Sequence, residues 1–308
     1  MMRILLTSTS FQDTPGKHQD LLNAQNYDIV SHRGPLKEKK MLEIIENIDG
    51  LICGDDEITN EVIEKGLKSK LKIISKYGVG LDKIDLNSAN KHNIKVTNCL
   101  GVNHNTVAEH VFALLLSHSR NINEQTNLIK QGKWIRTIGN EIHGKTIGII
   151  GLGKIGKEVA KRSLSFGLNV LVFDKLIEEE VLKTYSFKQS SVEEILEKSH
   201  YISLHLPLNE GTKNIINKNN FKLAKKELVI INTARSGLIS EDLIIDYIKH
   251  NKISAYLTDV LDEEPMINNH PFLQYDNIHI TPHIGSRTYE SVERQGLMAV
   301  NNLINNLK

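Results

Sequence analysis

Cysteine is nearly absent from this 308-residue chain: Cys53 and Cys99 are the only two, and no C-x-x-C occurs. A disulfide framework or a cysteine-rich zinc site is therefore not expected, and a reducing, cytoplasmic setting fits. An excess of one charge is absent too, since 38 basic and 37 acidic side chains leave a formal charge of +1. That balance gives no support to a nucleic-acid or anionic-membrane partner, which a basic excess or cluster would indicate. Long apolar runs are also missing. The amino-terminal MMRILLTSTS is too short an apolar stretch for a signal peptide, and no segment approaches the roughly 18 apolar residues of a membrane span. No repeat or low-complexity tract appears. The expectation is a soluble intracellular chain whose length accommodates about two domains.

What is present is organised around residues 145–174, KTIGIIGLGKIGKEVAKRSLSFGLNVLVFD. An apolar strand runs into Gly151, Gly153 and Gly156 in the pattern G-x-G-x-x-G, followed by a helix from about Ile155 and a second strand closed by Asp174. Each glycine answers a steric demand. Gly151 permits the sharp turn, Gly153 lets backbone approach a pyrophosphate, and Gly156 lets helix pack close to strand. The helix amino terminus directs unpaired N–H groups and a positive dipole end at that pyrophosphate. Asp174 is placed to accept the ribose hydroxyls of an adenosine and to repel a 2′-phosphate, so the unit predicts NAD rather than NADP. A glycine turn alone is a weak signal; here strand, helix, second strand and acid all fall where the mechanism needs them.

The rest alternates strand-like and helix-like segments. Before residue 99, strands are expected at 3–7, 27–31, 50–53, 71–75 and 94–98, with helices such as 37–46 and 61–66 between them. After the nucleotide unit, strands are expected at 201–205, 228–232, 253–259 and 278–281. Alternation of this kind implies two doubly wound parallel sheets. The first half lacks G-x-G-x-x-G and reads as a substrate-presenting domain. Its loop Lys76-Tyr77-Gly78-Val79-Gly80 follows a strand and can offer backbone N–H groups to a small carboxylate, although a plain turn explains it equally well. A helix is expected at 107–120, with Thr106 and Glu109 as a capping box, which makes Thr106 a cap rather than a catalytic hydroxyl. Residues 121–143, polar and carrying the only tryptophan, Trp134, read as an arm that crosses to a second subunit.

Three polar residues follow strand ends in the second half: Arg235 after LVIIN, Glu264 after ISAYLTD, and His283 after IHIT. The set can oxidise an alcohol beside a carboxylate. Arg235 holds the carboxylate in a fork and polarises the carbonyl, His283 exchanges the hydroxyl proton, and Glu264 fixes the imidazole tautomer and favours imidazolium. Plain alternatives stand beside these roles, since Glu263 and Glu264 also read as a solvated pair and most of the 13 histidines must be structural or exposed. His279 has the wrong parity for proton transfer. His205, before Leu206 and Pro207, reads as the wall of an adenine pocket.

The series KYGVGLDKID, VAEH, GKTIGIIGLGKIG, HLPLNEGT, NTARSG, TDVLDEEP and TPHIG, running from about residue 75 to 285, resembles the D-isomer-specific 2-hydroxyacid dehydrogenase family, especially its D-3-phosphoglycerate dehydrogenase branch. The resemblance implies Arg235, Glu264 and His283 as the catalytic set, and amides of Gly78 and Val79 near the substrate carboxylate. It implies NAD contacts at Lys154, Ile155, Asp174, Leu206, Thr233 and Asp259, with the neighbouring His205, Pro207, Ala234 and Gly285 included in the cofactor set. It further implies a Rossmann NAD domain (99–284) inserted into a flavodoxin-like substrate domain (1–98 with 285–308), a homodimer through the cofactor domain, and no metal. The chain stops at Lys308 without a regulatory domain, so serine feedback is not expected. Ser236 stands where the family usually has glycine.

The expected substrate is 3-phosphoglycerate, with an unphosphorylated or otherwise substituted 2-hydroxy acid second. The phosphoglycerate branch tends to place an arginine in loop 54–57, which here reads Gly-Asp-Asp-Glu. Three acids would repel a phosphate; alternatively they favour the amino terminus of the helix after Ile58. Arg136 is the available substitute clamp. Two rival functions are an NAD-sensing binding protein, as the family includes corepressors, and formate oxidation, against which Glu264 counts.

Overall fold

The computed structural model describes residues 1–307, which form two units. One comprises residues 1–103 with the segment returning at Ser286; the other is His104–Gly285. Along the first segment come β1 (Arg3–Leu6), α1 (Thr9–Asp13), α2 (Lys17–Asn23), β2 (Asp28–Ser31), α3 (Glu38–Ile44), β3 (Gly50–Cys53), α4 (Asn60–Ser69), β4 (Ile73–Lys76), α5 (Leu86–Lys91) and β5 (Lys95–Thr97). The second unit opens with α6 (His104–Ser119), α7 (Ile122–Lys130), β6 (Thr146–Ile150), α8 (Lys154–Ser165), β7 (Asn169–Phe173), α9 (Glu179–Tyr185) and β8 (Lys188–Gln189). It closes with α10 (Val192–Lys198), β9 (Tyr201–Leu204), α11 (Lys218–Phe221), β10 (Val229–Asn232), α12 (Glu241–Lys249), β11 (Ala255–Thr258) and β12 (Ile278–Ile280). The chain then returns to the first unit as α13 (Tyr289–Asn306).

The first sheet is parallel, in the order β2-β1-β3-β4-β5. Side chains alternate across it, as a strand's period of two requires. Val30, Leu5, Leu51, Ile74 and Val96 stand in register and pack toward Met41 and Ile45 of the α3 side and Val62 and Ile63 of α4. The intervening Ile4, Ile52 and Ile73 pack toward Phe11, Leu22 and, on α13, Val300 and Leu303. The Ser75 hydroxyl donates to the Ala299 carbonyl (2.8 Å), which fixes β4 against α13.

The second sheet is parallel in the order β12-β11-β10-β9-β6-β7-β8. Its chain begins in the middle at β6, runs out to β8, and restarts at β9 on the other side of β6. Both faces are covered, which explains why its strands are continuous apolar runs. Ile147, Ile149, Val229 and Ile231 pack with α6 and α8; Ile150, Ile202, Ile230 and Tyr256 pack with α10, α11 and α12.

Two sequence expectations need correction. The passage between units lies at Asn103/His104 and Gly285/Ser286 rather than 98/99 and 284/285. Residues 98–102 stay with the first unit because α13 holds them: Asn302 donates to the Asn98 carbonyl (3.3 Å), Arg294 to the Val102 carbonyl (3.0 Å), and the Cys99 thiol to the Gln295 carbonyl (3.2 Å). Gly285 stays with the second unit because its N–H donates to Asp259 (2.7 Å). Helix α6 begins at His104, so Thr106 is buried within the first turn instead of capping it; packing of Thr106, Val107 and Ala108 overrides the local capping pattern. The segment 121–143 contains α7, none of whose residues is buried, followed by an irregular stretch in which Trp134 and Ile138 are 83% and 92% exposed. Among the described residues no helix is long and apolar enough to cross a membrane.

Leu303 of α13 is fully buried against the first sheet. Leu303→Ala is expected to destabilise the first unit by about 2–5 kcal/mol, read as a lower urea midpoint of its unfolding transition.

Candidate active site

The reversal of strand order between β6 and β9 opens a crevice at the carboxyl ends of those strands, the place where open parallel sheets take ligands. The glycine turn fills its floor. Gly151 has φ +102°, a left-handed conformation that a side chain would strain, and a Cβ there would sit 2.6 Å from the His205 carbonyl carbon. A Cβ on Gly156 would collide with the Gly151 carbonyl oxygen. Gly153 differs: a Cβ there meets nothing within 4 Å, so the protein itself does not require glycine, and the space lies on the ligand side of the turn. Gly153 also stands at the N-cap of α8, with Lys154 exposed and Ile155 half-buried in the first turn.

Asp174 follows β7 and accepts hydrogen bonds from the Leu152 N–H (2.7 Å) and its neighbour Lys175 N–H (2.7 Å). The carboxylate therefore orders the glycine turn as well as standing where a ribose is expected. After β9, His205 lies 2.8 Å through Nε2 from the Ser203 hydroxyl, and burial pushes the imidazole down to about 3, so it is neutral at physiological pH. Leu206 is buried in the core and Pro207 is exposed. After β10, the Thr233 hydroxyl oxygen is buried with no hydrogen-bond partner. A buried orphan of this kind calls for a ligand group. Open space at Gly153, a helix amino terminus, an acid after β7 and an orphaned hydroxyl after β10 together fit a dinucleotide.

The three residues expected to form the catalytic set follow three neighbouring strands. In the sheet β10, β11 and β12 are neighbours, with Asn232 opposite Thr258 and Thr258 opposite Ile280, so the chain leaves all three at one edge. Arg235 emerges after β10, its guanidinium donating to the Ala234 carbonyl (2.7 Å). Asn232, buried, shapes this turn: its side chain accepts from the Ala234 N–H (3.1 Å) and donates to the Arg235 carbonyl (2.9 Å). Glu264 follows β11. One carboxylate oxygen accepts from the Leu261 N–H (2.9 Å) and the other from His283 Nδ1 (2.7 Å). With Nδ1 donating to this carboxylate, any proton exchange at the imidazole would run through Nε2.

His283 itself has φ +52°, an uncommon conformation for a residue with a side chain. A buried acid holds it there. Asp259 is 2% exposed and accepts from the Thr281 hydroxyl (2.6 Å), the Ile284 N–H (2.8 Å) and the Gly285 N–H (2.7 Å), so residues on both sides of His283 are bound to one carboxylate. His110 of α6 stands 3.5 Å from the same carboxylate and 3.0 Å from the Thr281 hydroxyl. Burial alone would push the Asp259 carboxyl up; the hydrogen bonds from His110, Thr281, Ile284 and Gly285 overcome it and hold the carboxyl below its ordinary value. Asp259 and Gly285 thus carry an internal role beyond the cofactor contacts expected of them. His279 faces His118 (3.3 Å) and burial pushes both imidazoles down, His118 to about 4, so the pair is neutral and structural.

In the first unit, the Gly78 carbonyl accepts from the Cys99 N–H (2.8 Å) and the Val79 carbonyl from the Asn98 side chain (2.7 Å). Across a planar trans peptide the next N–H points the opposite way. The N–H groups of Val79 and Gly80 therefore point away from these two partners.

The acids of loop 54–57 also differ from expectation. Asp56 is fully buried, accepting from the Thr7 hydroxyl (2.5 Å), the Leu36 N–H (2.7 Å) and the Gly54 N–H (3.0 Å), and burial pushes its carboxyl up. Glu57 caps α3 by accepting from the Glu38 N–H (3.0 Å) and pairs with Lys37 (2.9 Å), so it serves α3 rather than the helix after Ile58. Asp55 pairs with Lys76 (2.7 Å). Arg136 lies on the exposed stretch after α7.

Asn232 and the clamping role of Asp259 were missed from sequence. An Asn three residues before an Arg at a strand end is a turn signal that points to the first; nothing local marks the second.

Fold and site together define a dinucleotide-dependent oxidoreductase. The model of the D-isomer specific 2-hydroxyacid dehydrogenase NAD binding domain matches residues 112–285. D-3-phosphoglycerate dehydrogenase of Methanocaldococcus jannaschii is 38% identical over 85% of this chain and 50% of its own, and hydroxypyruvate reductase of Thermotoga maritima is 35% identical over 94% of each chain. The crystal structure of Aquifex aeolicus D-lactate dehydrogenase with NAD and lactic acid superposes with a TM-score of 0.84 at 28% identity, covering 97% of this chain and 93% of that one. Other relatives are named glyoxylate reductases. The chain spans about half the length of the phosphoglycerate dehydrogenases it matches. It belongs to the D-2-hydroxyacid dehydrogenase family, and its cofactor is NAD.

Asp259→Asn would keep one acceptor oxygen but turn an amide N–H toward the Gly285 N–H, at a cost of about 1–3 kcal/mol. Because the acid is held down in the folded state, its contribution is present above the unfolded pKa and is lost as pH falls through the folded value. The difference in unfolding midpoint between wild type and D259N is expected in full at neutral pH and to close below about pH 4, read by denaturation across a pH series.

Proposed function

We propose that the protein interconverts a D-2-hydroxy acid and its 2-keto acid, with Arg235, Glu264 and His283 as the catalytic set. The carrying observation is the 2.7 Å bond between Glu264 and His283 Nδ1, on a loop that Asp259 holds at the strand edge. Gly151, Gly153, Lys154, Ile155, Asp174, His205 and Thr233 would hold the dinucleotide, which when bound supplies or accepts the hydride at substrate C2. Arg235 binds the carboxylate in a fork and draws electron density from the C2 oxygen. His283 gives a proton from Nε2 to that oxygen during reduction and takes it back during oxidation. Glu264 keeps Nδ1–H bonded and stabilises the imidazolium. In the first unit taken by itself, the loop after β4 is read as offering the Gly78 and Val79 amides to a small carboxylate.

The substrates expected from sequence, 3-phosphoglycerate first and an unphosphorylated acid second, share the carboxylate and the reacting C2 and differ at C3. Assembly and location belong to the same reading. A homodimer through the second unit would cover Trp134 and Ile138, and buried thiols at Cys53 and Cys99 suit reducing cytoplasm.

His283→Ala is expected to lower kcat for keto-acid reduction with NADH by about 10²–10⁴ while NADH still binds. Glu264→Gln should move the fall of kcat/KM for reduction to lower pH; an unchanged profile removes the role given to Glu264. Replacing Trp134 and Ile138 together by Asp is expected to convert a dimer to monomer in sedimentation analysis.

A further inference from the structure

The loop that carries Glu264 in the second unit has little apolar packing to hold it. None of residues 262–269 is buried, and Glu264 alone among them is half-buried. Polar contacts take the place of packing. Glu241, the first residue of α12, accepts at one carboxylate oxygen from the Asp262 N–H (2.9 Å), two residues before Glu264. Its other oxygen lies 3.1 Å from His270 Nε2, the side chains being 16% and 5% exposed. His270 closes the same loop, since its Nδ1 accepts from the Phe272 N–H (3.2 Å) at the start of the turn Pro271–Gln274. An Nδ1 that accepts leaves the proton of a neutral imidazole on Nε2, so His270 donates to Glu241 and cannot reverse that bond without losing Phe272. The cluster also reaches Arg235. The His270 ring meets Phe272 edge-on with centres 5.0 Å apart, Phe272 meets Tyr256 likewise at 5.8 Å, and the Tyr256 hydroxyl accepts from Asn232 (3.1 Å), whose side chain shapes the Arg235 turn.

We infer that Glu241 and His270 are positioning residues for Glu264, one carboxylate holding both ends of the loop on which Glu264 meets His283. This rests on the catalytic reading above and deepens it. Asp259 restrains the residues around His283, and Glu241 restrains those around its partner. The action passes through the backbone. Glu264 is bound to the Leu261 N–H, so the turn 261–264 shifts as one piece, and a displacement of Asp262 carries the Glu264 carboxylate with it. A charge-assisted bond of 2.7 Å to His283 tolerates little displacement. The two ring nitrogens of His270 have separable roles: Nδ1 caps the turn at Pro271, and Nε2 holds Glu241.

The test uses the full chain and separates those roles. Asn at position 270 sets an amide oxygen near the place of Nδ1 and keeps the cap, but has no donor that reaches Glu241. Gln there sets an amide nitrogen near the place of Nε2 and keeps the donor. The substrate is whichever of hydroxypyruvate, glyoxylate and 3-phosphohydroxypyruvate the wild type reduces fastest with NADH. His270→Asn is expected to lower kcat by about tenfold with KM for NADH unchanged, and His270→Gln to recover most of that loss. Glu241→Gln, the second variant should H270N not fold, is expected to match H270N, because one amide oxygen can accept from Asp262 or from His270 but not from both. In an E264Q background H270N should cost less than about twofold, since the bond it acts through is already weakened. A wild-type kcat in H270N, equal losses in H270N and H270Q, or a loss as large with E264Q as without it overturns the inference. Magnetic resonance of the His283 ring nitrogens, assigned by their loss in H283A, gives a readout that needs no turnover. H270N should move the Nδ1 signal toward its position in E264Q and H270Q should return it toward wild type; a signal unmoved by H270N overturns the inference. If wild type binds NADH yet reduces none of the acids, the catalytic reading fails, and the ring signals decide the positioning on their own.

Discussion

One buried carboxylate sets the geometry on which the chemistry depends. Asp259, at the end of β11, binds the hydroxyl of Thr281 and the amides of Ile284 and Gly285, and so captures the segment leaving β12 at three points around His283. An ordinary loop would let a histidine relax from a left-handed backbone; here the amides beyond it are fixed before it can. The strain is local and the restraint is shared. Glu264, bound on one oxygen by its own backbone, meets an imidazole whose position is already determined.

Charge pairing decides the character of each unit more than the amount of charge. In the second unit, acids do backbone work: Asp174 orders the glycine turn and Asp259 the histidine loop. In the first, Asp56 is a strut among β1, the start of α3 and the loop after β3, while Asp55 and Lys76 neutralise one another at the sheet edge. Counting acids in the 54–57 loop overstates its field, because only the partners assigned by folding determine what an approaching anion meets.

Much of this was legible in the chain. Apolar runs marked the strands closely, and Gly50–Cys53 falls where expected, because a strand buried on both faces has no polar position to blur its ends. The positions of the glycine turn, Asp174, Arg235, Glu264 and His283 were legible because each follows the end of a strand, where local sequence and sheet topology coincide. Asp259 as a clamp was not, since its partners converge only after β11 and β12 pair. The capping pattern at Thr106 misled for the opposite reason: it was a strong local signal overruled by burial. The reach of α13 over residues 98–102 was equally invisible, being a contact between the two ends of a discontinuous unit.

That discontinuity has a consequence for synthesis on the ribosome. The face of the first sheet formed by Ile4, Ile52 and Ile73 is covered in part by Val300 and Leu303, more than two hundred residues and one whole unit later in translation order. His104–Gly285 is continuous and can close its core as soon as it has emerged, whereas the amino-terminal sheet must wait with an apolar face exposed. The usual order, in which the first-made portion is the first to finish, is inverted. The early strands are thus the segment most in need of chaperone protection, although they are the oldest part of the nascent chain.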